Sequence, residues 1–138
     1  PGAGWVSELA YECVDTIDTS SLIGCMTVHN SNNIFYSINC HNSSNLFGCC
    51  GIKKKHYCIL NKQYSKEEYE KLKAKIIEHM KKTGEWGEFF PVNYSHFGYN
   101  ETIAADNYPL IKAEAKKKGF TWFDNIQFTQ GKETISLD

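Results

Sequence analysis

From Ser7 onward, apolar and polar positions recur every twelve residues through the first half of the chain. One apolar column runs Ala10, Leu22, Ile34, Leu46 and Cys58; the next runs Tyr11, Ile23, Phe35, Phe47 and Ile59. A third holds Cys13, Cys25, Ser37, Cys49 and Asn61, and a fourth Val14, Met26, Ile38 and Cys50. The polar positions keep the same step, since His29-Asn30-Ser31-Asn32-Asn33 returns as His41-Asn42-Ser43-Ser44-Asn45. Self-similarity at a short fixed period marks a solenoid, because one row cannot bury its apolar side alone and stacked rows can. Each row reads as an apolar strand of about seven residues and a polar turn of about five. Leu22, Ile34 and Leu46 are then expected in one interior file. Asn at the turns tolerates unusual backbone angles and stacks into amide ladders.

The predicted fold is mainly β with an α-helical C-terminal part. A short β-solenoid (parallel β-helix) spans 1–64, and a capping helix with an aromatic helical tail spans 65–138. Two points stay open. Gly24 and Gly48 recur at 24 residues, with the bulkier Glu12, Tyr36 and Leu60 between them, which favours a 24-residue coil over a twelve-residue one. A meander of antiparallel strands also spaces its strands evenly, but it has no need for one residue type in one column.

The last row runs into Ser65-Lys66-Glu67-Glu68, a capping box. Tyr69, Leu72, Ile76 and Met80 share a helix face after it, and Gly84 marks the stop. Such a helix is placed to cover the last coil, because an exposed strand edge invites aggregation. An aromatic stretch follows, from Trp86 through Phe89, Phe90 and Tyr94 to Phe97 and Tyr99. Short helices are expected from Asn100 to Ala105 and from Pro109 to Lys118, with Gly119 ending the second. Gln130–Asp138 reads as a frayed end, and Pro1-Gly2-Ala3-Gly4 as a cut start.

Charge sharpens this picture. All 15 basic residues are Lys, so the planar fork that reads phosphates and guanine is missing, which counts against sequence-specific nucleic-acid binding. The charge is −4 over 1–52, +6 over 53–82 and −3 over 83–138. The basic middle opens at Lys53-Lys54-Lys55, a candidate site for an anionic or protein partner, and Trp86, Phe89, Phe90 and Phe97 are candidate partner contacts. No apolar run long enough to span a membrane is present. The absence of a secretory leader leads us to expect a cytoplasmic protein.

Six cysteines without a CxxC pair exclude a thioredoxin motif or zinc ribbon. Core filling is their default role. Two alternatives remain: disulfides between neighbouring coils, or a zinc site of Cys49, Cys50, His56 and Cys58. No other cofactor is expected. Cys58 and His56, two apart on a strand, are expected on one face and form a conceivable thiol nucleophile pair. Glu85 and Glu88 are a conceivable carboxylate pair for glycoside chemistry. An ice-binding coil needs a flat Thr array where this chain has Ser7, Thr19, Ser31, Ser43 and Lys55, which counts against ice binding, and His29 and His41 read as solvent-facing turn residues.

Asn45-Leu46-Phe47-Gly48-Cys49-Cys50-Gly51-Ile52, the run Tyr57 to Tyr64, Gly87-Glu88-Phe89-Phe90-Pro91 and Phe97-Gly98-Tyr99-Asn100-Glu101-Thr102 resemble a family of Cys-rich-repeat proteins from candidate-phyla bacteria, often flanked by zinc-ribbon segments. The resemblance covers about 7–123 and implies a central piece of a longer bacterial chain. No activity is established for that family, so it implies no reaction. Thr16, Thr19 and Leu22 stand where those proteins often have Cys, and the zinc-ribbon pairs are missing, which weakens any transfer of metal binding. The reading that follows is a non-enzymatic binding or scaffolding module, with self-association through an open first coil at Ser7–Asp18 as one route. The alternatives are a small carbohydrate- or thiol-acting enzyme on a β-helix, or a structural zinc protein.

Overall fold

The computed structural model describes residues 6–125; the expected cut start and frayed end lie outside them. The chain forms two compact units, 1–89 and 90–138. The first is a β-solenoid with a helix packed on it.

Its strands are β1 (Ser7–Tyr11), β2 (Val14–Ile23), β3 (Met26–Phe35), β4 (Ile38–His41), β5 (Ser44–Phe47) and β6 (His56–Ile59). Strands pair in parallel with a step of twelve, β3 meeting both β4 and β5: Leu22 lies on Ala10, Ile34 on Leu22, Leu46 on Ile34 and Cys58 on Leu46. One coil is therefore twelve residues, not 24. The 24-residue recurrence of glycine has a packing cause instead. A Cβ on Gly24 would stand 2.9 Å from the Tyr36 ring, and one on Gly48 would stand 2.9 Å from Leu60. Each bulky side chain leans over the empty place in the coil before it.

Within a coil the period is three, not a strand of seven and a turn of five. Every third residue has positive φ, including Asp15 (53°), Asp18 (49°), Asn30 (49°), Asn33 (54°), Asn39 (54°), Asn42 (50°) and Asn45 (55°). This left-handed backbone costs most L-residues about 1–2 kcal/mol, and Asn and Asp least, which explains their abundance here. The residue after each such corner points inward and the next points outward. Thus Cys13, Thr16, Thr19, Leu22, Cys25, Val28, Ser31 and Ile34 are buried in succession along the chain. Leu22, Ile34 and Leu46 form one interior file and are fully buried. Each such aliphatic contributes about 1.5–3 kcal/mol.

The interior is not purely apolar. The N–H of several inward residues points into the lumen, where a hydroxyl of the preceding coil accepts it. Cys49 N–H donates to Ser37 Oγ (3.0 Å), Ser43 N–H to Ser31 Oγ (3.0 Å) and Lys55 N–H to Ser43 Oγ (3.2 Å). Each serine passes its own proton to the carbonyl two residues back, Ser37 to Phe35 (2.9 Å), Ser31 to His29 (2.8 Å) and Ser43 to His41 (2.8 Å). The column compared with an ice-binding face is therefore interior, with Thr19, Ser31 and Ser43 buried.

The solenoid ends at a hairpin. Leu60 and Asn61 both have positive φ, which reverses the chain into β7 (Lys62–Gln63), antiparallel to β6. The Asn61 side-chain amide acts as a short strand: it accepts from Cys50 N–H (2.8 Å) and donates to Cys50 C=O (2.9 Å). Helix α1 (Lys66–Thr83) follows, with the Ser65–Glu68 capping box in place and Gly84 (φ 79°) as its left-handed stop. Tyr69 is fully buried, its ring 5.7 Å from Tyr57 of the last coil. Leu72, Ile76, Ile77 and Met80 pack with the outward file Ile23, Phe35, Phe47 and Ile59, and Trp86 lies 6.1 Å from the Phe35 ring.

The second unit holds α2 (Ile103–Asn107) and α3 (Lys112–Lys117). Its centre is Tyr99, whose ring lies tilted 4.8 Å from Phe120 and whose N–H donates to Thr121 C=O (2.8 Å). Each helix starts later than predicted. Tyr99–Glu101 is a separate three-ten turn before α2, and Ile111 is an extended cap (ψ 157°), so α3 starts at Lys112 although Pro109 is a favoured opener.

Candidate interaction surface

The three-residue period sorts the candidate residues. Cys49 and Cys58 face the lumen, 2% and 1% exposed, while Cys50 and His56 are exposed outside. The four proposed zinc ligands thus stand on opposite sides of the wall, and no group of three or more Cys, His, Asp or Glu among the described residues is placed to hold a metal ion. The same sorting separates Cys58 from His56. Two residues apart would share a face on a flat strand, but here a left-handed corner at Tyr57 (φ 55°) lies between them.

All six cysteines are free thiols. The inward ones act like the inward serines, donating to the carbonyl two residues back: Cys13 to Tyr11 (3.2 Å), Cys25 to Ile23 (3.3 Å), Cys40 to Ile38 (3.4 Å), Cys49 to Phe47 (3.5 Å). Burial pushes the Cys40, Cys49 and Cys58 thiols above their ordinary value, which disfavours the nucleophilic thiolate. Sequence reasoning misses this hydrogen-bonding role; the shared column of Cys25, Ser37 and Cys49 is its only signal.

Glu85 accepts from the Thr83 hydroxyl (2.8 Å) beside the helix stop. The preceding outward file carries two imidazoles: His29 and His41 stand on strands rather than turns, their rings 5.0 Å apart, with Asp15 3.5 Å from His29 and Asn39 2.8 Å from His41. Of the aromatic candidates, Trp86 is half-buried against Phe35 and Tyr36, with Gly87 N–H bonded to the Tyr36 hydroxyl (2.7 Å). Phe89 belongs with it to the first unit, whereas Phe90 and the 66%-exposed Phe97 belong to the second.

The two ends of the solenoid differ. At the start, among the described residues, β1 pairs only with β2. Val6 and Leu9 stand there 77% and 80% exposed, and Glu8, Glu12, Asp15 and Asp18 make this coil acidic. At the far end, β7 and Asn61 seal two sides, and Lys53, Lys54 and Lys55 stand exposed on a third. Lys55 occupies the inward Ser column, but below Ser43 its side chain leaves the lumen into solvent. On the wall, Val14 and Met26 stay 47% and 38% exposed in one file.

Comparison with family models, curated proteins and solved structures finds no match. No helix among the described residues is long and apolar enough to cross a membrane.

Proposed function

We propose that this chain is a non-enzymatic binding and scaffolding module that assembles end to end. The acidic, unsealed first coil of one copy receives the Lys-bearing last coil of the next. The observation that carries this reading is the difference between the ends. Among the described residues, one edge offers N–H and C=O groups of β1 outside its pairing with β2, with four acids on that coil, and the other end bears three exposed lysines. An unpaired strand edge is a template for another strand, and opposite charge sets which end meets which. Contacts of this head-to-tail type do not close on themselves unless the rotation permits a ring, so the product is a ladder of sizes.

Light scattering on a sizing column tests this across concentration and salt. The expected result is a mass that climbs above the 15.8 kDa monomer with concentration and falls back with added salt. Charge reversal at Lys53 and Lys54 (K53E with K54E) is expected to return the monomer. A monomer at every concentration contradicts the reading.

A further inference from the structure

Five thiols face the interior, yet only two of them are neighbours in one file. Cys13 and Cys25 stand one coil apart. Two ladder bonds hold their backbones together, Val14 N–H to Cys25 C=O (3.0 Å) and Gly24 N–H to Tyr11 C=O (3.0 Å). Each thiol donates to the carbonyl two residues back, so the two side chains lie one above the other on the same side of the wall. Elsewhere the files interrupt such pairs: Ser37 separates Cys25 from Cys49, Cys40 lies between Val28 and Ile52, and Cys58 lies beneath Leu46. We propose that Cys13 and Cys25 form a reversible dithiol–disulfide pair, which staples the first coil to the second when a small-molecule disulfide of the glutathione class is the oxidant.

The spacing allows it. Neighbouring strands lie about 4.8 Å apart, inside the Cα window of about 4.4–6.8 Å for a disulfide. In-register side chains run parallel, so their Cβ atoms start near the strand spacing and must draw toward a separation of about 3.8 Å. The residual strain makes the bond easy to reduce, as suits a reversible pair.

The roles of the two thiols differ. Cys13 is 9% exposed, whereas Cys25 and Cys40 are fully enclosed and Cys49 and Cys58 are 2% and 1% exposed. The Cys25 side chain beside it holds the Cys13 thiol down to about 7, and Cys13 together with burial pushes Cys25 up. Cys13 is thus the attacking thiolate. Its sulfur displaces one half of the small disulfide as a thiolate, leaving a mixed disulfide on Cys13. Cys25 then loses its proton and attacks the Cys13 sulfur, and the second half leaves as a thiol. The pair gives up two electrons and two protons, and the oxidant is reduced to two thiols.

The test incubates folded protein carrying C50S, which removes the exposed thiol, with oxidised glutathione. The sample is quenched with acid, unfolded and alkylated, and the peptides are weighed. The expected result is loss of two alkylatable thiols, one Cys13–Cys25 cross-linked peptide, and full recovery with excess reduced glutathione. With C25S added, Cys13 is expected to accumulate as the mixed disulfide. Protein that keeps all its interior thiols, that loses thiols at any other pair, or that stops at the mixed disulfide with Cys25 present overturns the proposal.

Discussion

At the scale of single residues, the fold depends on what each inward side chain does for the backbone around it. Ser37 is the clearest case, buried and holding both Cys49 N–H and Phe35 C=O. Ser37→Ala strands Cys49 N–H, while Phe35 C=O keeps the Gly48 N–H (2.9 Å), and leaving one buried donor unpaired is expected to cost about 1–3 kcal/mol in urea unfolding. Ser37→Cys is expected to cost under about 1 kcal/mol, because a thiol can make the bond to the carbonyl two residues back, as Cys25 and Cys49 do in the same file. The buried thiols also set a response to base. Burial raises Cys40, Cys49 and Cys58 above the ordinary 9.0, so the folded chain keeps protons that the unfolded chain gives up. Their stabilisation is therefore complete below 9.0 and declines as pH rises beyond it. Unfolding midpoints at about pH 8 and about pH 10 are expected to show that decline, and C40S is expected to make it shallower.

At the scale of elements, Tyr69 is the one fully buried residue of α1. Tyr69 is fully buried against the last coil, yet its hydroxyl has no hydrogen-bond partner, and burial raises its pKa. Tyr69→Phe removes an unpaired polar group and is expected to leave stability unchanged or raised. Tyr69→Ala is expected to cost about 3–5 kcal/mol, the range for emptying an aromatic site. Calorimetry of the two variants distinguishes an anchor that works by packing from one that works by its hydroxyl. The helix itself is legible in the sequence, because Ser65, Glu68 and Gly84 are local signals that act within one turn. The interior of a coil is not. Leu22 faces in and Ile23 faces out beneath the helix, so two apolar files with opposite roles stand side by side and read as one strand. The Ser31 and Ser43 file, polar but interior, reads as a turn for the same reason. A helix packed on the outside of the wall hides which apolar file is the core.

At the scale of the whole molecule, the columns carry the architecture, because stacking needs the same kind of side chain at the same height in every coil. They do not carry the coil length. Gly24 and Gly48 mimic a longer period by making room for Tyr36 and Leu60. Nor do they place the candidate sites, since the wall turns Cys49 and Cys58 inward and Cys50 and His56 outward. The contrast between an acidic first coil and a lysine-bearing last coil is visible as charge blocks, but only the twelve-residue coil puts those blocks at opposite ends of one stack. That coil is what everything else depends on, and methyl-to-methyl nuclear Overhauser effects on protein labelled at Ile, Leu and Val methyls read it most directly. The account predicts cross-peaks joining Leu22 to Ile34 and Ile34 to Leu46. Cross-peaks joining Leu22 directly to Leu46, with none from either to Ile34, would contradict it.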